Sequence, residues 1–229
     1  MEGSCCEAFT ATSEQFAICF EDHRESGFQP DLCHVTENGL FPELQSAYRS
    51  AHSTETALLK IVNDILLNMD NQHVSLLVLL DLSAAFDTVD HNILLRRLAT
   101  SFGVTGDALR WFDSYLSGRT QRVIVDGKLS ERCHPSFGVP QGSCLGPLLF
   151  SVYASKLFEV IKSHVPHAHA YADDTQLYLS FKPDIAVGET EARFAMEQCI
   201  RAVRAWMVVD KLKLNEEKTE FMLFGTHQQ

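Results

Sequence analysis

Two adjacent carboxylates, Asp173 and Asp174, sit in the run Ala168-His169-Ala170-Tyr171-Ala172-Asp173-Asp174-Thr175-Gln176-Leu177-Tyr178-Leu179. Aromatic and β-forming residues on both sides of a small polar centre predict a β-hairpin with the acid pair at its tip. Successive side chains of a strand point to opposite faces, but a tight turn redirects them and lets at least one carboxylate face a shared ion. Left bare, two such neighbours repel, and a divalent cation relieves that repulsion; a solvated Asp-Asp turn is the plainer alternative. A third acid, Asp81, ends the run Val74-Ser75-Leu76-Leu77-Val78-Leu79-Leu80. Alone it would serve as the cap of a following turn. At the end of a buried strand, however, a carboxylate is costly unless it is paired or bound to metal. Asp81, Asp173 and Asp174 together form a three-carboxylate cluster suited to two Mg²⁺ ions. In two-metal sites the ions stand roughly 3.5–4 Å apart and serve the attacking and leaving oxygens of phosphoryl transfer.

The elements that must position these acids are legible as hydrophobic patterns. Residues 74–80 are apolar almost throughout and read as a central strand buried on both faces, with a buried helix as the open alternative. Upstream, Ser53-Thr54-Glu55 supplies helix-start signals. Leu58, Ile61, Val62, Ile65, Leu66 and Met69 follow at helical spacing and predict a core stripe facing the sheet. Further helices are expected over 93–100, 107–116, 145–161 and 189–208, and a short helix and turn over 32–44. Strands are expected over 121–125 and 220–224. Asp126-Gly127 is a strong two-residue hairpin signal. Gly138-Val139-Pro140-Gln141-Gly142-Ser143 is a loop whose Pro and Gly residues allow close backbone approach. His164, His167 and His169 make one histidine cluster, but no fourth zinc ligand accompanies them.

Three ordered blocks then carry a resemblance: Asp81-Leu82-Ser83-Ala84-Ala85-Phe86-Asp87-Thr88-Val89-Asp90-His91, Gly138 to Ser143, and Tyr171-Ala172-Asp173-Asp174. Together they resemble a reverse transcriptase of the LINE-type, non-LTR retrotransposon branch, over about residues 38–225. The resemblance implies an α+β fold with a polymerase palm-type antiparallel sheet, helices packed on one face, and part of the fingers. It implies RNA-directed DNA synthesis: deoxynucleotide addition to a primer 3′-hydroxyl, with two Mg²⁺ ions (Mn²⁺ as a substitute) on Asp81, Asp173 and Asp174. RNA template, DNA primer and dNTPs are the implied partners. By the same resemblance Phe86 is the steric gate against a ribose 2′-hydroxyl, although it is also one of fifteen phenylalanines available to a core. Gln141 and Gly142 would line the nucleotide pocket. Arg49, in Gln45-Ser46-Ala47-Tyr48-Arg49, would contact nucleic acid, with a solvated charge as its alternative. Lys218 would protonate the leaving pyrophosphate, or else stand as a solvated lysine beside Glu216 and Glu217.

Bulk properties set the remaining expectations. A chain of 229 residues with 45% hydrophobic content can bury a real core. Its net charge of −11 runs against a generic nucleic-acid binder, which points to a polymerase core without its basic neighbours. The seven cysteines form no CxxC pair, so reduced thiols inside the cell, in cytoplasm or nucleus, are expected. No apolar run reaches the roughly 18 residues of a membrane span, and a soluble chain with no membrane partner is expected. On that resemblance the chain is expected to divide into an irregular, unassigned leader over 1–30 and a reverse transcriptase domain over 31–229, with partial fingers over 31–73, palm over 74–229 and no thumb. A catalytically inactive retroelement fragment acting as a binding module is the rival reading. An RNA-templated RNA polymerase is a second rival, disfavoured by the bulk of Phe86. Sequence carries no signal for the oligomeric state.

Overall fold

The computed structural model describes residues 39–49, 51–140, 142–143, 145–183 and 186–225. The expected leader over 1–30 and the start of the short helix over 32–44 lie outside them. So does Gln141. Gly39 to Leu44 form turns, with no helix.

Four antiparallel strands make the central sheet: β1 (Val74–Leu80), β4 (His167–Tyr171), β5 (Asp174–Phe181) and β6 (Glu220–Phe224), in the order β4-β5-β1-β6. A separate exposed ribbon, β2 (Ile124–Val125) and β3 (Lys128–Leu129), turns through Asp126-Gly127, both with positive φ, as a two-residue hairpin requires. The expected strand over 121–125 is laddered only at its last two residues, with Gln121 bridging to Cys133 alone.

Strand β1 explains the layering. Its residues alternate between two apolar environments, because both faces of the run are hydrophobic. Leu76, Val78 and Leu80 enter the main core with Leu177 and Leu179, their cross-strand partners or neighbours on β5. Leu77 pairs with Tyr178 on the opposite face, where Ile61 and Ile65 cover them. Those two isoleucines belong to α1 (Thr54–Asp70), whose start is fixed by a reciprocal cap: Ser53 Oγ accepts from Thr56 N at 3.2 Å, and Thr56 Oγ1 from Ser53 N at 2.9 Å. Helices therefore cover two faces of the palm-type sheet, where one was expected. A strand apolar on both sides cannot leave either one to water.

The main face carries α2 (His91–Phe102), α3 (Gly106–Leu116), α4 (Gly146–Ala154), α5 (Leu157–Lys162) and α6 (Ala186–Val209). Every residue of α4 is buried, as befits a helix apolar all round. The expected continuous helix over 145–161 is two helices. Ser155 N bonds to Val152 O, a tighter three-residue step that redirects the chain before α5 covers β4. Met196, Cys199, Val203 and Met207 present the buried stripe of α6. A buried ion pair, Arg97 to Asp210 at 2.6 Å, ties α2 to the turn after α6. Tyr153 completes the knot: its hydroxyl donates to Asp210 O and its carbonyl accepts from Arg97. Among the described residues, no helix is long and apolar enough to cross a membrane.

The α1 stripe is narrower than its spacing implies. Ala57, Ile61 and Ile65 are buried, but Leu58, Val62 and Leu66 are exposed and line an open groove of about 610 Å³ against Leu79, Met222 and Phe224. A helix meets the flat sheet along a single line, and the second row of apolar residues overhangs it. Ile61→Ala should therefore lose about 2–4 kcal/mol, whereas Leu58→Ala should stay within roughly 0.5 kcal/mol of the parent. Urea unfolding of both variants checks the contrast; equal losses would contradict this packing.

Candidate catalytic site

The three acids share one end of the sheet. Strand β1 delivers Asp81 just past its last residue, and the β4–β5 turn delivers Asp173 and Asp174. Leu80 pairs with Thr175, so one further step along both strands sets Asp81 beside Asp174. Tyr171 pairs with Asp174 across a two-residue turn formed by Ala172 and Asp173. Ala172 has φ 57°, a left-handed conformation that costs a residue with a Cβ roughly 1–2 kcal/mol. The cost is met locally. Gln45 Oε1 accepts from Ala172 N at 2.9 Å, and Gln45 Nε2 donates to Ala172 O at 2.9 Å. Two such bonds contribute about 1 kcal/mol each, enough to hold the turn. The segment around Gln45 lies along the open edge of β4: Ala170 N donates to Leu44 O at 2.8 Å, and Ser46 N to Ala170 O at 2.9 Å.

Asp81 is oriented from the other side. Asn215 Nδ2 donates to Asp81 Oδ2 at 2.9 Å, and Asn215 N to Asp81 O at 2.9 Å. Lys218, in a 3₁₀ turn over Glu216–Lys218, places Nζ 3.9 Å from Asp81 Oδ2. Its neighbour Glu216 pairs elsewhere, with Arg204 at 2.6 Å.

Electrostatics place the three acids within reach of one another. The Asp173 carboxyl is pushed up by burial, partly offset by its own backbone N–H, then raised further by the charges of Asp174 and Asp81. Asp174 is pushed up by burial and by Asp81. The Tyr48 phenol is pushed up to about 12 by burial, then by Asp173 and Tyr171, which sets Tyr48 beside the turn. Among the described residues, no group of three or more acidic, histidine or cysteine side chains is placed to hold an ion as it stands. Mg²⁺ does not require one: it binds through one or two carboxylates and takes its other ligands from water and substrate phosphates. The donor set, hard oxygens that repel one another, fits a divalent cation.

The other residues named by sequence surround this end of the fold. Phe86 is half-buried with its ring 4.9 Å from that of Phe150. The loop that carries Gly142 (φ 77°) is stitched to the Phe86 turn. Val139 N donates to Phe86 O at 2.9 Å, Gly138 N to Val89 O at 2.8 Å, and His91 Nε2 lies 2.8 Å from Gly138 O. At Gly138 (φ 89°) a Cβ would stand 3.1 Å from Asp87 O, so the close approach requires glycine there. Arg49 turns its guanidinium inward: Nη1 donates to Gln45 O at 3.2 Å and to Pro42 O and Glu43 O at 3.4 Å. The three histidines do not converge. His169 is buried against Ser46 Oγ at 3.0 Å, His167 stacks on Tyr178, and His164 bonds within its own turn.

Comparison with known proteins agrees with this geometry. The family described as reverse transcriptase (RNA-dependent DNA polymerase) matches residues 29–229. This chain belongs to the reverse transcriptase family. Its relatives place it on the LINE-type branch that the motifs resemble. The RNA-directed DNA polymerase from mobile element jockey of Drosophila melanogaster is 31% identical over 193 residues, covering 80% of this chain and 20% of that protein. The probable RNA-directed DNA polymerase from transposon BS, of the same organism, is 30% identical over 191 residues, 81% of this chain and 20% of that protein. The chain thus spans about a fifth of the length of these relatives. Among solved structures, apo telomerase from Candida tropicalis, truncated from its C-terminal domain, superposes with a TM-score of 0.56 at 16% identity, over 96% of this chain and 42% of that one. That likeness is one of fold.

Two residues of this reverse transcriptase chain escaped the reading of its sequence. Asn215 carries no signal of its own within Leu212-Lys213-Leu214-Asn215, and Gln45 stands only as the first residue of the stretch that carries Arg49. The raised acids carry a consequence for stability. A carboxylate whose folded pKa lies above the unfolded value of about 3.9 favours the fold only while protonated; as pH rises through the folded value, the charge destabilises it. Asp173→Asn should therefore raise the thermal unfolding midpoint at pH 7 in EDTA, and the gain should vanish as pH falls toward 4. A lowered midpoint at pH 7 would contradict the crowding of charge at this sheet end.

Proposed function

We propose that this chain is the catalytic palm of an RNA-templated DNA polymerase of a non-LTR retroelement. One observation carries the proposal: strand β1 and the β4–β5 turn, from separate sequence blocks, bring Asp81, Asp173 and Asp174 to one sheet end, where burial and mutual repulsion raise Asp173 and Asp174. The reaction joins a primer 3′-oxygen to the α-phosphorus of a dNTP and releases pyrophosphate. Two Mg²⁺ ions held by the three acids, with Mn²⁺ as substitute, would lower the 3′-hydroxyl pKa and neutralise charge on the triphosphate.

The chain's own residues have distinct tasks in this proposal. Asp81, steadied by Asn215, and Asp173, set by its turn, fix where cations and hence reacting oxygens lie. Lys218, whose ammonium stands nearer Asp81 while Glu216 pairs with Arg204, would give a proton to the departing pyrophosphate. The Phe86 ring, backed by Phe150, limits the room under the sugar and selects deoxyribose. Gly138, where a Cβ would press on Asp87, and Val139 keep that loop close to the Phe86 turn, and by the family resemblance Gln141 and Gly142 would border the nucleotide. Arg49 would approach nucleic acid only through the guanidinium edge its inward bonds leave over. An intracellular setting, in cytoplasm or nucleus, belongs to the same proposal.

Nucleotide addition to a DNA primer on an RNA template, at low salt with Mn²⁺, tests the proposal. A net charge of −11 repels the duplex, so one or a few additions are expected and no long products. Asp81→Ala and Asp173→Ala should each lower that addition by about 10²–10³-fold. Addition that survives either substitution unchanged would overturn the proposal. In the same assay Phe86→Ala should admit ribonucleotides while still adding deoxynucleotides; unaltered discrimination would reduce Phe86 to a packing residue.

A further inference from the structure

Gln45 lies far in sequence from every acid of the site, yet it is 1% exposed and spends its side-chain amide on the catalytic turn. Both bonds go to one residue. Ala172 N–H donates to Gln45 Oε1, and Ala172 C=O accepts from Gln45 Nε2, each at 2.9 Å. This is the pattern by which two residues exchange both backbone bonds in an antiparallel ladder, here supplied by a side chain to a turn that has no third strand. Bonding the groups on either side of one Cα restricts φ and ψ together. The residue so restricted is the one with φ 57°, and the next in the chain is Asp173.

Gln45 is itself held. Its Oε1 also accepts from Ala47 N at 3.0 Å, its backbone N donates to Pro42 O at 3.0 Å, and its carbonyl accepts from Arg49 at 3.2 Å. Ser46 adds a bond to His169, three residues before Ala172 on β4. The Gln45–Arg49 segment therefore forms a cradle for the β4–β5 turn, with Gln45 at the contact point. We propose that Gln45 is a positioning residue that, by bonding both backbone groups of Ala172, holds the strained turn in the one conformation that aims Asp173 toward the cation shared with Asp81.

The proposal rests on the metal reading of the acids and is separable from it. Without Gln45 the turn relaxes from positive φ, and like charges drive Asp173 away from its neighbours. Gln45→Met keeps the volume and removes both bonds. Gln45→Glu keeps an acceptor for Ala172 N–H, removes the donor to Ala172 O and adds a fourth carboxylate. Ala172→Gly frees the turn from its φ penalty. In the Ala172→Gly background, Gln45→Met should regain thermal stability, because glycine accepts positive φ freely, but not an aimed Asp173, because the glycine turn samples other conformations as well.

The experiment is a Mn²⁺ titration followed by electron paramagnetic resonance, with amide hydrogen exchange at residue 172. It uses the 229-residue chain and these variants at a temperature where circular dichroism shows each folded. Gln45→Met and Gln45→Glu should each weaken Mn²⁺ binding by about tenfold or more, the loss typical of removing a partner that orients a ligand. Exchange at Ala172 should quicken in Gln45→Met, and the double variant should recover its unfolding midpoint without its Mn²⁺ affinity. Unchanged exchange at Ala172 in Gln45→Met would overturn the clamp. Affinity that is unchanged in both single variants, or that returns with stability in the double variant, would overturn the positioning role and leave Gln45 a structural residue. A parent chain that binds no Mn²⁺ would instead overturn the metal reading, and the clamp would then stand or fall on the exchange rate alone.

Discussion

Three negative charges must be held together at one end of a sheet before any cation or substrate arrives to neutralise them. At 4 Å and an effective dielectric of about 20, two like charges repel by about 4 kcal/mol, more than most single contacts in a protein contribute. The surrounding structure resists that force from several directions. Seven cross-strand pairs fix β1 against β5, so Asp81 and Asp174 cannot slide apart without breaking the packing of β1 in both the main core and the layer under α1. Asn215 holds Asp81 by side chain and backbone, and Gln45 holds the turn that bears Asp173. Burial, and after it the neighbouring charges, raise the carboxyls of Asp173 and Asp174.

Rigidity at the acids depends on burial elsewhere. Strand β1 is anchored by apolar contacts on two faces, which is why α1 is needed as well as the main helical layer. Beneath the Asp81 strand end, the stretch after α6 runs back along the chain that follows β1. Ser83 N donates to Lys213 O, Leu82 bridges Leu214, and Lys211 pairs with Asp90 at the start of α2. The buried Arg97–Asp210 pair locks this return, and breaking one partner of such a pair costs about 3–5 kcal/mol because the other charge stays buried. Packing far from the chemistry thus sets where Asn215 and Lys218 stand relative to Asp81.

How much of this was legible follows from the kind of signal each feature leaves. Strand β1 and the β4–β5 hairpin announce themselves through unbroken apolar character and a polar tip, and the acids stand at their ends. The start of α1 is visible because a cap is chemical, Ser53 leading the Ser53-Thr54-Glu55 signal and bonding Thr56; Asp90, which accepts from Ile93 N at 3.0 Å and starts α2, stands in the sequence only among the acids of its motif. Periodicity failed where geometry rather than pattern decides. It cannot tell that α1 buries one row of its stripe and overhangs with Leu58, Val62 and Leu66. Nor can it show that the apolar run after Gly146 bends at Ser155. The family resemblance implied the overall fold but not the second covered face. Gln45 and Asn215 were silent because each makes a long-range bond, Gln45 to a backbone 127 residues away and Asn215 to the Asp81 carboxylate 134 residues away, and a single amide leaves no period.

The central claim is that Asp81 and Asp173 bind the same divalent ion with the nucleotide present. Anomalous diffraction from crystals grown with Mn²⁺ and a non-hydrolysable dNTP measures it directly. The account predicts a manganese peak at the end of the sheet, bonded to a carboxylate oxygen of each acid and to a phosphate oxygen, with Gln45 still bonded to Ala172. A manganese ion bound to only one of the two acids, or bound elsewhere with this sheet end empty, would contradict it.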